Sequence, residues 1–194
     1  MTSRRRVSYA AGMIGIDESR PFIAVQLAIL TVSDTRTSAD DASGQLLAER
    51  ATSAGHRVVA RQIVPDERAQ IEHALRTFIA DPAVDVVLTT GGTGVTGRDV
   101  TPEALDAVVE KHIVGFGELF RSLSYRTIGT STIQSRATAG VANGTYLFAL
   151  PGSTGACRDA WDQILVTQLD NRYRPCNFVE LLPRLRESKV EPKI

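Results

Sequence analysis

Apolar and polar positions divide the chain into short strand-like runs separated by helical segments. Residues 22–32 (FIAVQLAILTV) and 84–88 (VDVVL) are near-continuous apolar runs, which are typical of strands covered on both faces of a sheet. Residues 56–64 (HRVVARQIV) alternate between polar and apolar side chains and predict a second, more exposed strand. Residues 145–150 (TYLFAL) follow Asn143-Gly144, a dipeptide typical of a type I′ turn, and are predicted to form a hairpin with the chain before them.

Apolar residues at helical spacing fill the segments between these strands. Asp66 is expected to be the N-cap of one helix, and Thr101 the N-cap of another that has Pro102 at its first position. Gly55 is a typical C-terminal signal for the helix that precedes it. The predicted helices cover residues 44–54, a segment from 66 to about 80, a segment from 101, and segments after residues 117 and 155.

The alternation of strands and helices predicts an α/β fold with a doubly wound, mostly parallel sheet and an antiparallel strand at one side. We predict a folded domain over residues 21–180, a flexible N-terminal extension over residues 1–20 and a C-terminal tail over residues 181–194. In a doubly wound sheet, ligands bind at the carboxyl ends of the strands. The site should therefore lie where the loops that follow the predicted strands come together.

Composition narrows the classes of function. A chain of 194 residues with 43% hydrophobic content can bury a core of this kind, and its formal net charge of +0 provides no basic field for nucleic acid. No apolar run approaches the ~20 residues that span a bilayer, and the basic start, MTSRRRVSYAAG, lacks the sustained apolar core of a secretory signal. Cys157 and Cys176 indicate neither a disulfide framework nor a zinc site, so we expect reduced thiols in a cytoplasmic protein without membrane or nucleic-acid partners.

The strongest candidate for chemistry is the loop after the second apolar run, which reads TTGGTGVTGRDVTPEAL. Gly91, Gly92 and Gly94 leave backbone N–H groups open to a phosphate, and the helix that follows favours negative charge at its N-terminus. Asp99 lies between the glycines and the helix, where a carboxylate could hold a divalent cation that bridges phosphate oxygens. The order G-G-x-G fits neither the P-loop nor the dinucleotide-binding pattern, so a tight strand-to-helix turn is an equally good interpretation from spacing alone.

Two further strand ends carry polar or Gly-rich loops that should lie at the same edge of the sheet. Ser33 and Asp34 follow the first strand and are candidates for binding a nucleotide, whereas Pro151, Gly152 and Ser153 open a second Gly loop ahead of a helix. A pocket with two phosphate-type loops and carboxylates suits an anionic ligand, or two of them. A serine nucleophile is not expected, since no serine stands in a G-x-S-x-G sequence.

Two long motifs identify the chain as a member of a known family. TTGGTGVTGRDVTPEA, together with LPGSTGACRDAW, resembles the molybdopterin-binding proteins of the MoaB/Mog type, which include domains of gephyrin and its plant homologue. The stretches GFGELFRSLSY, IGTSTIQSRATAGVANGT and RPCNF resemble the MoaB branch in particular. The resemblance covers roughly residues 26–178 and implies a three-layer α/β/α fold that binds molybdopterin.

The resemblance also implies an activity. In active members, the terminal phosphate of molybdopterin attacks the α-phosphorus of ATP with Mg²⁺ present, which gives adenylylated molybdopterin and pyrophosphate. By this similarity Asp66 and Asp99 serve catalysis and hold Mg²⁺, and the chain assembles as a homotrimer or hexamer. Phosphoryl-type transfer of this kind needs positioning and charge neutralisation more than a nucleophilic side chain. The residues that match the family's substrate-contacting loops are Gly91, Gly92, Thr93 and Gly94 in the first loop and Pro151, Gly152 and Ser153 in the second.

Several candidates also have a purely structural interpretation. Asp66 could act only as a helix cap, and Asp99 could brace its own loop through a local hydrogen bond. Ser135 and Arg136 could bind the ligand or could only satisfy backbone groups of a loop; Ser135 is kept as a candidate substrate contact. Val95-Thr96-Gly97 replaces the bulkier or proline-containing spacers of some family members, and Gly97 indicates a more mobile loop before Asp99.

The sequence leaves more than one function open. The first hypothesis is a molybdopterin adenylyltransferase, which the presence of both Asp66 and Asp99 favours. The second is a protein of the same fold that binds molybdopterin or a precursor without adenylylation. The third, a general sugar-phosphate or nucleotide binder, leaves the second Gly loop unexplained. Binding of a pterin, measured against such general ligands, separates the third hypothesis from the other two.

Overall fold

The computed structural model of the protein describes residues 14–185 and 187. Its strands alternate with helices along the chain, as the apolar pattern predicts. In the described part of the chain the strands are β1 (Gly15–Ile16), β2 (Gln26–Val32), β3 (Arg57–Val64), β4 (Val86–Thr90), β5 (Lys111–His112), β6 (Thr138–Ala142), β7 (Thr145–Leu150) and β8 (Tyr173–Arg174).

Helices occupy the connections between the strands. They are α1 (Ala42–Ser53), α2 (Arg68–Ala80), α3 (Thr101–Asp106), α4 (Val114–Ile128), α5 (Thr154–Ala160) and α6 (Val166–Gln168). A π-helical segment, Trp161–Leu165, joins α5 to α6, and 3-10 helices cover Gly129–Gln134 and Val179–Arg184.

The central sheet has the strand order β3-β2-β4-β7-β6-β5. Strands β3, β2, β4 and β7 are parallel, and β6 pairs antiparallel with β7. The Asn143-Gly144 hairpin is confirmed, because both residues adopt positive φ, at 47° and 85°. The predicted antiparallel strand is also confirmed. However, the edge strand beyond it, β5, is two residues long and was not predicted.

Side chains of the central strands alternate between two apolar cores, which makes the fold a three-layer α/β/α sandwich. On β7, Phe148 belongs to the first core, with residues of α1, α4 and α5, whereas Leu147 belongs to the second, with residues of α2 and α3. Strands β2 and β4 divide their side chains in the same way. Because both faces are covered, these strands carry the near-continuous apolar runs seen in the sequence.

Two predicted helix starts are corrected. Asp66 is not an N-cap, because α2 begins at Arg68 after Glu67, and no side chain caps that helix. Thr101 lies inside the first turn of α3 after Val100, and its hydroxyl donates to the carbonyl of Gly91 at 2.8 Å. Neither side chain caps its helix; the Thr101 hydroxyl bonds to the first Gly loop, and the Asp66 carboxylate bonds to the loop after β2.

The helix α4 is longer than predicted, since it runs through Gly115 and Gly117 instead of starting after them. A Cβ on Gly117 would lie 2.3 Å from the carbonyl oxygen of Ala137. This glycine therefore allows α4 to pack closely against the segment that precedes β6, and it does not mark a helix boundary.

The chain ends of the described region also pack on the domain. Residues Gly15 and Ile16 pair antiparallel with Arg174 and Tyr173. These residues fall inside the predicted N-terminal extension, whose first 13 residues lie outside the described part of the chain. At the other end, the start of the predicted C-terminal tail forms the 3-10 helix, from which Leu182 packs on the first core. Within the described ranges, none of the helices combines the length and apolar character needed to span a bilayer.

Candidate functional site

The carboxyl ends of β2, β4 and β7 open onto a cavity of about 790 Å³. These strands are neighbours in the parallel part of the sheet, so the loops that follow them meet at one edge, as the fold class predicts. Every predicted site residue lines this cavity except Asp34. Those that line it are Ser33, Asp66, Gly91, Gly92, Thr93, Gly94, Asp99, Ser135, Pro151, Gly152 and Ser153.

The two Gly loops contact each other directly through their backbones. Gly91 has a φ of +106°, and a Cβ there would lie 2.1 Å from the carbonyl oxygen of Val32. A Cβ on Gly152 would lie 3.2 Å from the Cα of Gly91. The floor of the cavity is therefore made of main chain, where side chains are excluded by the space available.

The next glycines of the first loop make room for the carboxylates. A Cβ on Gly92 would lie 2.5 Å from Thr101 Oγ1 and 3.1 Å from Asp66 Oδ1. A Cβ on Gly94 would lie 2.7 Å from Asp99 Oδ2. Each predicted catalytic carboxylate thus lies against a glycine of the loop predicted to hold phosphate.

Asp99 is held in place by its own loop. Its Oδ2 accepts hydrogen bonds from the backbone nitrogen of Thr96 at 2.9 Å and from the Thr96 hydroxyl at 2.6 Å. Partial burial raises the pKa of Asp99, but the bonds from Thr96 outweigh it, and the pKa lies below its ordinary value. The local bracing considered from the sequence is present, and it keeps an ionised carboxylate at the cavity.

Asp66 is held by a reciprocal contact with Asp34. Its Oδ2 accepts from the backbone nitrogen of Asp34 at 3.0 Å, and its own backbone nitrogen donates to Asp34 Oδ1 at 3.0 Å. Burial raises the pKa of Asp66, and the negative charge of Asp34 adds to this effect. The pKa values of Asp66 and Asp99 are therefore displaced in opposite directions within one cavity, a pattern that is common at functional sites.

Asp34 lies beside the main cavity. Arg98 donates to both of its carboxylate oxygens, at 2.6 and 2.8 Å from Nη2, and the hydrogen bond lowers the pKa of Asp34. Asp34 lines a second cavity of about 630 Å³, which shares Ser33 and Arg36 with the first. The two predicted nucleotide contacts are thus placed where the two cavities adjoin.

The second Gly loop is held in place by contacts with α5 and with the end of β4. The Ser153 hydroxyl oxygen accepts from the backbone nitrogen of Ala156 at 3.2 Å and caps α5. Underneath, the buried Cys157 thiol lies 3.1 Å from Thr90 Oγ1 and donates to the Pro151 carbonyl at 3.3 Å. Burial raises the pKa of Cys157 to about 11, so this cysteine is a neutral thiol and not a nucleophile.

Arg36 was missed by the sequence analysis. It lines both cavities, and its Nη2 donates to the carbonyl oxygen of Gly152 at 3.2 Å. Its Nη1 contacts the hydroxyl of Ser43 and lies 3.7 Å from the buried carboxylate of Asp41. The only sequence signal was a cation in a polar loop after a buried strand, and its link to the second Gly loop is purely tertiary.

The donor set at the cavity fits a magnesium ion shared with a ligand. Asp66 and Asp99 supply carboxylate oxygens, which Mg²⁺ prefers, and each has one oxygen engaged by the protein. Among the residues that the structure describes, no cluster of three or more His, Cys, Asp or Glu side chains could hold a metal. A magnesium ion here would therefore take further oxygens from phosphate and water, as is usual for sites that act on phosphates.

The fold and the site together define an α/β protein with a candidate anion-binding cavity at the carboxyl edge of its sheet. The sequence profile of the family described as "Probable molybdopterin binding domain" matches residues 28–171. Molybdenum cofactor biosynthesis protein B of Escherichia coli (strain K12) is 54% identical over 160 residues, which cover 82% of this chain and 94% of that protein. The chain therefore belongs to the molybdopterin-binding domain family of molybdenum cofactor biosynthesis proteins.

Solved structures agree with this assignment. A crystal structure of a molybdenum cofactor biosynthesis protein B superposes with a TM-score of 0.78 at 41% identity, covering 87% of this chain and 99% of the other. The tungsten cofactor synthesizing protein MoaB from Pyrococcus furiosus superposes with a TM-score of 0.70 at 33% identity, covering 84% and 98%. The predicted α/β/α fold and the predicted family are both confirmed.

Proposed function

We propose that this protein binds molybdopterin in the larger cavity and transfers the adenylyl group of ATP to its terminal phosphate. The observation that carries the proposal is the convergence of two backbone-lined Gly loops and two carboxylates on one cavity. The family and the relatives named for molybdenum cofactor biosynthesis support molybdopterin as the ligand. The nucleotide and the adenylyl transfer are what the resemblance to active family members implies, and the carboxylates and Gly loops of the cavity are compatible with that chemistry.

In the proposed reaction, an oxygen of the molybdopterin phosphate attacks the α-phosphorus of ATP. The bond from the α-phosphorus to the oxygen that bridges it to the β-phosphorus breaks, and pyrophosphate leaves with that oxygen. The backbone N–H groups of Gly92 and Thr93 are assigned to the attacking phosphate, because the N–H of Gly91, expected from the sequence to be open, donates to the carbonyl oxygen of Leu150 at 3.0 Å. The second loop, from Pro151 to Ser153, holds the pterin side of the ligand. Asp66 and Asp99 would hold Mg²⁺, which would supply the positive charge that neutralises the phosphate oxygens.

The nucleotide is assigned to the junction of the two cavities. Ser33 lines both of them and Asp34 lines the smaller one, while Arg36 supplies a cation at their boundary. The Ser33 hydroxyl already accepts from the backbone nitrogens of Thr35 and Arg36, at 3.3 and 3.2 Å, so its role is to shape the loop. This arrangement brings the α-phosphorus of ATP toward the first Gly loop from the side of β2.

The proposal includes assembly as a homotrimer or hexamer in the cytoplasm. Large apolar side chains on α4 and the 3-10 helix after it are exposed in the single chain, including Val114 at 63% and Ile133 at 82%. Large apolar patches on a protein surface mark interfaces, and these exposed side chains are the candidates for such a patch. Sedimentation equilibrium of the purified protein tests the assembly, and a monomer at micromolar concentration contradicts it.

The central experiment incubates the purified protein with molybdopterin, ATP and Mg²⁺ and measures adenylylated molybdopterin and pyrophosphate. Asp99→Asn keeps the shape of the side chain and removes its charge, so we expect turnover to be lost while molybdopterin still binds. Asp17→Asn is the matched control, because Asp17 is an exposed carboxylate bonded to Ser19 at 2.6 Å and lies outside the cavity. Tight pterin binding without turnover in the parent protein indicates instead a binding protein on the same scaffold.

A further inference from the structure

Arg136, two residues ahead of β6, bonds to the first Gly loop. Its Nε donates to the carbonyl oxygen of Gly94 at 2.6 Å, and its Nη2 donates to the carbonyl oxygen of Asp99 at 2.5 Å. The backbone nitrogen of Arg136 also donates to the carbonyl of Thr93 at 2.9 Å. A single residue therefore holds both ends of the segment 94–99.

Between these two anchors, Arg98 forms an exposed ion pair with Asp34, with Nη2 2.6 Å from Oδ1, and the remaining contacts are short-range. Asp99 bonds back to Thr96 through both its backbone nitrogen and its side chain. Val95 is 67% exposed, and a Cβ on Gly97 would meet nothing within 4 Å. Local bonds fix the shape of this segment, and the exposed ion pair of Arg98 with Asp34 restrains its position over the cavity only weakly. The bonds from Arg136, whose side chain is less exposed, supply the stronger long-range restraint.

The charge of Arg136 is matched by Glu103, at the start of α3. Its Nη1 contacts Glu103 Oε1, and this bond lowers the pKa of the Glu103 carboxyl. With Nε and both Nη groups engaged, the guanidinium is committed to the loop and to α3. Arg136 is also not among the residues that line the main cavity. It is therefore placed to act on the site through other residues.

We propose that Arg136 is a positioning residue, which sets where Asp99 and Gly94 stand relative to the bound phosphate without touching the substrate itself. This inference rests on the proposed adenylyl transfer at the same site. The planar guanidinium reaches two carbonyls and a carboxylate at once, whereas a lysine ammonium at the same position is a point donor and cannot span them. Moving Asp99 impairs catalysis and metal use, while the second Gly loop keeps its hold on the pterin.

The kinetic test compares Arg136→Lys with Arg76→Lys. Arg76 is a matched control, because its Nη2 donates to the carbonyl of Ala107 at 3.1 Å, just beyond the opposite end of α3. For Arg136→Lys we expect kcat to fall by about 10- to 100-fold, as misplacement by a fraction of an ångström does. The Mg²⁺ concentration for half-maximal rate should rise, and the KM for molybdopterin should stay within about twofold. An unchanged kcat, or a rise in the pterin KM alone, overturns the proposal.

A second measurement does not depend on turnover. Amide hydrogen exchange of the peptide that covers residues 94–99 should be about 10-fold faster in Arg136→Lys than in the parent protein, and unchanged in Arg76→Lys. If the parent protein shows no adenylyl transfer, the proposed function fails, and the exchange rates still decide whether Arg136 positions the loop. Equal exchange in the parent protein and in Arg136→Lys overturns the positioning role, whatever the activity.

Discussion

Gly94→Ala tests the geometry of the site with a single methyl group. The Cβ of the alanine would lie 2.7 Å from Asp99 Oδ2, 3.0 Å from its Cγ and 3.1 Å from Oδ1, whereas ordinary van der Waals contact begins at 3.4 Å. The Asp99 carboxylate must therefore move by about 0.7 Å. Gly94 does not have a positive φ, so no backbone strain is added to this collision.

The displacement acts on the carboxylate in two ways. It weakens the two bonds from Thr96, each worth about 0.5–1.5 kcal/mol, so we expect a loss of about 1–2 kcal/mol in the free energy of unfolding. It also moves the proposed metal ligand by more than half an ångström, and since a misplacement of ~1 Å can lower the rate by about 100-fold, we expect a loss of about 10-fold in rate. Activity should therefore fall in a protein that remains folded.

Gly97→Ala is the control for this experiment. It makes the same substitution three positions away in the same loop, but its Cβ would meet nothing within 4 Å, and Gly97 also lacks a positive φ. It should leave the rate of adenylyl transfer near that of the parent protein and raise stability slightly. Rates of adenylyl transfer at saturating Mg²⁺ and thermal unfolding curves are measured on both variants. Equal rates for Gly94→Ala and Gly97→Ala would refute the argument that Asp99 is displaced.

Further predictions concern charge and thiols. Asp66 has a raised pKa, so its ionised form opposes folding at neutral pH, and Asp66→Asn should raise the melting temperature at pH 7 while it lowers activity. The pKa of Asp99 is lowered in the folded protein, so its ionised form stabilises the fold above the ordinary carboxyl pKa. This contribution is lost as the pH falls through the pKa of Asp99 in the folded state. Asp99→Asn should therefore lower the melting temperature at pH 7 and weaken the dependence of the melting temperature on acid pH. Titration of the native protein with a thiol reagent at pH 8 should modify the exposed Cys176 and spare the buried Cys157, whose pKa of about 11 keeps it protonated. Rapid modification of both thiols would contradict the last expectation.

Local pattern was enough to predict the layers of the fold. The apolar runs of β2, β4 and β7, the alternation of β3 and the Asn143-Gly144 turn each reflect forces that act within a few residues, so each is visible in the sequence. The strands β1, β5 and β8 are two residues long and have no pattern of their own. They exist because another part of the chain offers a partner, which periodicity does not detect.

The site was predicted as a set of residues but not as a set of contacts. Motifs and strand ends brought Asp66, Asp99 and both Gly loops to one edge of the sheet, and the cavity contains them all. The local interpretation of Asp66 as a helix cap was wrong, because its carboxylate bonds to the backbone of Asp34, 32 residues away in the chain. Arg36 and Arg136 act through bonds to backbone carbonyls 116 and 37 to 42 positions distant. Such contacts leave no trace in the spacing of residue types.

The order of glycines in the first loop follows from these same contacts. Gly91 is required by the carbonyl of Val32, Gly92 by Asp66 and Thr101 and by its own positive φ of +62°, and Gly94 by Asp99. Each glycine is thus required by contact with a different part of the chain, so neighbouring residues alone do not predict the spacing G-G-x-G. A P-loop places a lysine after its glycines to meet phosphate charge. Here two carboxylates, those of Asp66 and Asp99, lie beside Gly92 and Gly94 in place of such a lysine, so a cation at this part of the loop would come with the ligand or from the solvent. We therefore predict that the proposed adenylyl transfer depends on a divalent cation and stops when the cation is chelated.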